Sequence, residues 1–398
     1  MDERTRAFVK SIFRAYYRRE DIKMPLKFDR REWGFMPFEE GRMHRHKAFR
    51  TKRDVIEYLR DEVPRHVYYS SAVYTDPSAP KMAEKGWEGA ELIFDLDADH
   101  LQIKAGSYEE MLDAVKKETI KLLRFLEDDF GFSQDDIEIA FSGGRGYHVH
   151  VYHPKVWKLT SPERREIVDY ITARGLDLDR IFRPKYSIVG DSGEGGTKDA
   201  KLTKIIHTSS WGERIHQGLV EFMEELSEME EDEAIEYLSG IKGLGKKRAK
   251  KLLEVAKDKT QINAIKDGNI IAKKIPTPIW RYIIEGRMRV ELGEVDEPVT
   301  ADIKRLIRLP TSLHGGSSLK VVPLTRDAFN DFDPLVDAVA FDKGEITIDL
   351  TREASISLND ENYSFDPGIN DVPLAVGLFL ICRGMAEFKE IRGNKLIF

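Results

Sequence analysis

Apolar residues recur at helical spacing near the start of the chain, at Phe8, Ile12 and Ala15, and predict a helix over residues 2–20 that ends before Pro25. A shorter helix is expected over Asp54–Glu62, where Pro64 stops it. His66–Tyr74 (HVYYSSAVY) is rich in residues that suit a half-buried strand, and Ala90–Asp97 (AELIFDLD) is an apolar run of strand length closed by acids. Tyr108–Phe130 has the stripe of an amphipathic helix. Ile137–Phe141 and Tyr147–Tyr152 read as strands joined by a glycine-rich turn at Ser142–Gly146. This succession predicts an α+β fold, mixed β-sheets flanked by helices, rather than a regular βαβ repeat.

From Glu213 to Lys273 the period is helical with no strand signal, which predicts an all-helical insertion over 213–285. It would interrupt one domain built from 1–212 and 286–398. Strand-like segments return at Met288–Leu292, Leu319–Leu324 and Ile346–Leu350, and Pro373–Phe388 reads as a closing helix. Lys27–Phe49 has no clear period but mixes aromatic residues (Trp33, Phe35, Phe38, Phe49) with Arg30, Arg31, Arg42 and Arg45.

Composition narrows the function classes. The 398 residues leave room for two or three domains at roughly 100–200 residues each. No apolar run approaches the roughly 18 residues of a membrane span, and charge from residue 2 onward leaves no signal-peptide core, so a soluble, cytoplasmic protein is expected, with no membrane partner. The single cysteine, Cys382, excludes an intrachain disulfide and any site with two cysteine ligands. Net charge is -7, but it is segregated: nine acids and no base lie between Glu221 and Glu236, and then come Lys242, Lys246, Lys247, Arg248, Lys250 and Lys251. Such blocks are usually solvated helix faces, less often docking surfaces.

Three segments carry candidate chemistry. Asp95-Leu96-Asp97 ends an apolar strand, so two carboxylates about 7 Å apart would share a face, a costly pair unless a cation neutralises it. Oxygen-only donors suit Mg²⁺ or Mn²⁺, which bind carboxylates together with phosphates. The nearby Asp99 fits a turn or cap. Ser142-Gly143-Gly144-Arg145-Gly146-Tyr147-His148 surrounds a glycine turn with phosphate-competent donors at Ser142, Arg145 and His148. Arg308-Leu309-Pro310-Thr311-Ser312-Leu313-His314-Gly315-Gly316 repeats that idea with Arg308 and His314, and Asp296 lies upstream in GEVDEPVT.

Together KGWEGAELIFDLDADH (85–100), SGGRGYHVHV (142–151) and RLPTSLHGG (308–316), supported by REWGF (31–35), RHKAF (45–49) and VYYSSAVY (67–74), resemble the catalytic small subunit of the archaeal and eukaryotic DNA primase family. The archaeal form is the closer match, and the likeness covers 1–155 and 285–324. The resemblance implies that Asp95 and Asp97 bind metal with Asp296 as third carboxylate. It also implies that Ser142, Arg145 and His148 hold the phosphates of the incoming nucleotide, with Arg308 and His314 a second basic pair.

The activity so implied is de novo synthesis of short RNA primers, and also DNA, on a single-stranded DNA template. Ribonucleoside and deoxyribonucleoside triphosphates would be substrates, Mg²⁺ or Mn²⁺ the cofactor, and a large primase subunit the heterodimer partner. The alternative is a primase-like polymerase that fills gaps in DNA repair or end joining; such relatives are usually shorter and lack a helical insertion. Many family members carry a zinc knuckle between the first two motifs. Here no cysteine lies between Asp99 and Gly143, only His100, so a structural zinc is not expected. Ile241–Leu252 resembles a helix–hairpin–helix segment that could meet a DNA phosphate. The acidic stretch 221–237 offers a docking face; an apolar stripe at Leu374, Leu378, Ile381 and Met385 is a second candidate, though it reads first as core.

Overall fold

Alternation in AELIFDLD does what the pattern requires. In the computed structural model Leu92–Asp97 is a strand with Leu92, Phe94 and Leu96 fully buried on one face, so that Ile93, Asp95 and Asp97 fall on the other. Each such large apolar side chain contributes about 1.5–3 kcal/mol on burial. The structure describes residues 1–39, 41–99, 101, 105–187, 200–205, 210–241, 244–271, 277–291, 293 and 295–392; His100, Lys242, Gly243 and Glu294 lie outside them.

The chain divides into two compact units, one of residues 1–170 with 294–398 and one of 171–293. In the first, a four-stranded sheet has the order Val322–Leu324, Ile137–Phe141, Gly146–Val151, Leu92–Asp97. A second has the order Leu306–Arg308, His66–Ser70, Trp33–Met36, His44–Lys47. A three-stranded sheet near the end of the chain orders Gly368–Pro373, Glu345–Leu350 and Ala386–Arg392. The α+β class holds, but every described pairing is antiparallel, so the mixed strand directions expected from the sequence do not occur. The helix Glu3–Arg19, capped by Asp2, buries Phe8, Val9, Ile12, Phe13 and Tyr17. Helix Tyr108–Arg124 runs on into a π-helical turn at Phe125–Asp129.

Three expectations are corrected. Met288–Glu291 is not strand but the end of helix Thr277–Glu291, where β-branched Val290 gave a misleading strand signal. Pro373–Phe388 is not one helix: Leu374–Cys382 ends as Gly384 adopts a left-handed φ of 71°, and Ala386–Arg392 is a strand. The stripe at Leu374, Leu378 and Ile381 is core, the first reading of its apolar spacing. Nor is 213–285 all helical, since Asn269–Ile271 is a strand. It joins Ala200–Ile205 and Phe182–Ser187 in a three-stranded sheet of the second unit. In that unit the basic segment forms helix Lys246–Lys257, with Gly245 as its N-cap. Among the described residues no helix is long and apolar enough to cross a membrane.

A buried charge network supports the Asp95 sheet. Arg31 and Glu91, both with fully buried side chains, meet at 2.5 Å, and His150 Nδ1 lies 2.8 Å from the other Glu91 oxygen. Arg164 donates to the Glu91 and Ala90 carbonyls at 2.8 and 2.9 Å. Burial alone would raise the Glu91 carboxyl, but Arg31 and His150 hold it at about 2.

Candidate active site

Strand register sets the first half of the site. His148 pairs across from Asp95 and Gly146 across from Asp97, and His148 Nε2 lies 3.7 Å from Asp95 Oδ1. His148 Nδ1 is buried with no hydrogen-bond partner. The turn that follows is shaped by its glycines. Gly143 has a φ of 74°, and a Cβ there would lie 2.7 Å from the Cβ of His314. The second motif is thus bare where the third packs against it. Ser317 seals the contact: its hydroxyl donates to the Gly143 carbonyl. Ser142 Oγ accepts from the Gly144 N–H at 3.3 Å.

Strand Leu306–Arg308 brings the second basic pair. Arg308 stands opposite Tyr68, with its guanidinium 5.1 Å over that ring, and donates to His66 Nδ1 at 2.7 Å. The same nitrogen accepts from the Gly315 N–H at 3.2 Å, which ties His66 to the third motif. His314 Nδ1 accepts from the Gly316 N–H at 3.2 Å, so its proton sits on Nε2. Arg145 Nε lies 3.8 Å from Asp97, and its NH1 donates to Asp99 at 2.7 Å. Asp99 therefore holds this arginine besides turning the chain.

Burial, reinforced by Arg308, drives the imidazoles toward the neutral form. His66 is pulled down to about 2 by burial, Arg308 and Arg65. His148 falls well below its ordinary value through burial, then His150 and Arg308; His314 does so through burial, then Arg308 and His66. Burial likewise lowers Arg308, while Tyr68, Asp95 and Asp97 oppose it.

Asp95, Asp97, Ser142, Arg145, His148, Arg308 and His314 line one cavity of about 540 Å³. Asp296 is tied to this place through its backbone, whose N–H donates to the Asp95 carbonyl at 3.3 Å, while the residue does not line the cavity itself. Among the described residues no three metal-capable side chains converge. The adjacent Glu297 faces Arg165 at 3.7 Å. The cavity also has walls that sequence reasoning missed: Tyr68, Tyr108, Arg305, Arg352 and Arg383. Tyr108 donates to the Gly144 carbonyl, and Arg383 lies 4.1 Å over its ring. His66 was missed as well. Arg305, three residues before Arg308, was the one with a local signal.

Five arginines and two carboxylates thus line one cavity beside an antiparallel sheet, a charge pattern that suits a polyphosphate. The model of the DNA primase small subunit matches residues 94–326. The DNA primase small subunit PriS of Methanococcoides burtonii is 43% identical over 394 residues, covering 98% of this chain and 100% of that one. That of Methanothrix thermoacetophila is 41% identical over 397 residues (97% and 100%), and that of Halobacterium salinarum 42% over 395 (97% and 99%). The chain belongs to the DNA primase small subunit family. It is a primase, a nucleotidyltransferase of DNA replication, and the repair-polymerase alternative is not favoured.

Proposed function

We propose that this chain starts short RNA primers, and DNA as well, on single-stranded DNA in the cytoplasm as one half of a heterodimer with a large primase subunit. The observation that carries the assignment is the convergence of Asp95 and Asp97 with Arg145, Arg308, Ser142, His148 and His314 on one cavity. Asp95 and Asp97, partly exposed at 18% and 27%, give an oxygen-only pair on a rigid strand that fits Mg²⁺ or Mn²⁺. Asp296 completes the carboxylate set in this reading. Such a cation, when bound, acidifies the attacking hydroxyl and offsets charge on the leaving group.

The chain's own groups do the rest. Arg308 and Arg145 line the same cavity as the carboxylate pair and neutralise the triphosphate. His314 donates from Nε2, and Ser142 adds its hydroxyl. As the primer 3′-oxygen bonds to the α-phosphorus, the bond to the bridging oxygen breaks, pyrophosphate leaves, and the hydroxyl proton passes to solvent. Arginines fixed around the phosphates stabilise the charge that builds in that step. Template pairing selects the base, and the acidic face of 221–237 offers the large subunit a docking surface.

The test is primer synthesis on unprimed single-stranded DNA with labelled nucleotides and Mg²⁺ or Mn²⁺. Wild type should yield short products, and the Asp95→Ala, Asp97→Ala double variant none. Undiminished synthesis by the variant would overturn the site. A wild type that only extends a supplied primer, even with the large subunit present, would overturn de novo initiation.

A further inference from the structure

The reaction described above leaves some of the cavity's cations without a task. Of its five arginines, Arg145 is engaged by Asp99 and Asp97, and Arg308 donates to His66. Arg305, Arg352 and Arg383 line the same cavity and enter no ion pair among the described residues. One of these three has a fixed seat. The Arg383 guanidinium lies over two rings at once, 4.1 Å from the centre of Tyr108 and 4.7 Å from that of Phe379. The rings meet edge to face at 5.5 Å, and Phe379 is buried.

All nine residues of helix Leu374–Cys382 are buried and apolar, so Arg383 is the first charged residue at its end. Its N–H donates to the Phe379 carbonyl at 3.1 Å. A cation suits such a place on helix-dipole grounds alone, because the last carbonyls carry partial negative charge. That accounts for the charge but not for its seat. Aromatic rings attract the faces of a guanidinium, which leaves its in-plane N–H donors for other partners. An arginine held this way has already lost much of its rotamer freedom, so a phosphate binds it at a lower entropic cost.

Tyr108 joins this seat to the phosphate turn, since its hydroxyl donates to the Gly144 carbonyl. Burial holds that hydroxyl above its ordinary value although Arg383 pulls the other way, so it stays a donor. Gly144 stands between Ser142 and Arg145, so the tie leads to the donors that a nucleotide's phosphates need, not to a path for DNA. The reacting α-phosphate has to lie near Asp95 and Asp97, which act on Arg308, while Asp97 lies near Arg145; Arg383 pairs with neither carboxylate. Its partner is therefore further along the triphosphate.

We infer that Arg383 is a further binding residue for the incoming nucleotide: its guanidinium takes the β- or γ-phosphate, and Tyr108 is the positioning residue that sets it against the Ser142–Gly146 turn. The inference rests on the primase reading and adds to it a contact from the end of helix Leu374–Cys382.

The test is calorimetric titration of the full chain with ATP and with AMP, both with Mg²⁺, beside the kinetics of primer extension. Arg383→Met, which keeps an apolar stem over the rings, should weaken ATP binding by about 10- to 100-fold, the usual worth of a hydrogen bond to a charged group. AMP has no distal phosphates, so its binding should weaken far less. In extension, KM for the nucleotide should rise by more than kcat falls. Arg383→Lys should recover part of the ATP affinity. Tyr108→Phe keeps the ring and loses the bond to Gly144, so it should weaken ATP by a smaller factor. A thermal melt checks that each variant folds.

Wild-type ATP affinity in folded Arg383→Met would overturn the inference. So would an equal loss for ATP and AMP, which would make Arg383 a packing residue. Should Arg383→Met not fold, wild-type ATP affinity in both Arg383→Lys and Tyr108→Phe would overturn it. Retained ATP binding with weaker binding of a labelled oligothymidylate would do the same, because Arg383 would then serve the DNA backbone. A wild type that neither makes nor extends a primer, yet loses ATP affinity selectively on Arg383→Met, would sink the primase reading and keep this contact.

Discussion

His148 and His150 point from the same face of one strand, two residues apart, into very different surroundings. His150 meets Glu91 at 2.8 Å inside a network in which Arg31 and Glu91 are fully buried and matched in charge. His148 lies 3.7 Å from Asp95, has an orphaned Nδ1, and borders a cavity where arginines outnumber carboxylates. The first region needs no ligand for its charge: the Arg31 guanidinium and the Glu91 carboxylate neutralise one another, and Arg164 is held by the Glu91 and Ala90 carbonyls. The second is complete only with a ligand, because its excess positive charge and its depressed imidazoles wait for a polyanion. A buried charge set that balances is structural, and one that does not balance is a site.

That contrast can be broken from either side. The largest effect is expected where the imbalance is chemical: Asp95→Asn with Asp97→Asn should lower synthesis by about a thousandfold or more. It should change the melting temperature little, since the lost repulsion between the two carboxylates offsets the lost attraction to Arg308 and Arg145. A steep loss of stability in that variant would show that the pair belongs to the structural network instead. Next is Glu91→Gln, which leaves Arg31 buried against a neutral amide. Breaking a buried pair costs about 3–5 kcal/mol, read as a shift in the urea midpoint, while residual folded protein should still bind nucleoside triphosphate. An unchanged midpoint would contradict the balance described above. Smaller is His314→Gln, expected to cost about a hundredfold in kcat/KM for the nucleotide with little change in stability. A loss of stability without a loss of kcat/KM would make His314 a packing residue of the Gly143 turn.

The reach of the sequence follows the same division. Asp95, Asp97, Ser142, Arg145 and His148 were legible because each lies on a contiguous strand–turn–strand segment, where alternation alone fixes which side chains share a face. Arg308 and His314 were legible as a motif, though that His314 nests on Gly143 could not be read from either segment. Tyr108, Arg352 and Arg383 were not legible: they reach the cavity from the start of helix Tyr108–Arg124, from the turn after strand Glu345–Leu350 and from the end of helix Leu374–Cys382, by contacts between segments far apart in sequence. The helix Leu374–Cys382 was overextended for a related reason. All nine of its residues are buried, so no polar stripe marks its period or its end. Asp296 was legible as a motif residue, and the structure ties its N–H to the Asp95 carbonyl at 3.3 Å.

The smallest expected effect concerns His66, a half-buried residue whose Nδ1 accepts from Arg308 and from the Gly315 N–H. Its Nδ1 accepts from Arg308 at 2.7 Å, a role open only to the neutral ring, and its folded value of about 2 lies below the ordinary 6.5. The unfolded chain therefore takes up a proton below about pH 6.5 that the folded chain refuses. By linkage, His66 leaves stability untouched above that pH and lowers it progressively as pH falls. His66→Gln can still accept from Arg308 but does not titrate, so its stability, measured by urea unfolding at pH 7 and pH 5, should fall less between the two than that of wild type. His148 and His314 titrate in the same sense, so the flattening will be partial. An equal fall in both proteins would mean that His66 is charged when folded, and would return Arg308 to the list of unsatisfied cations in the cavity.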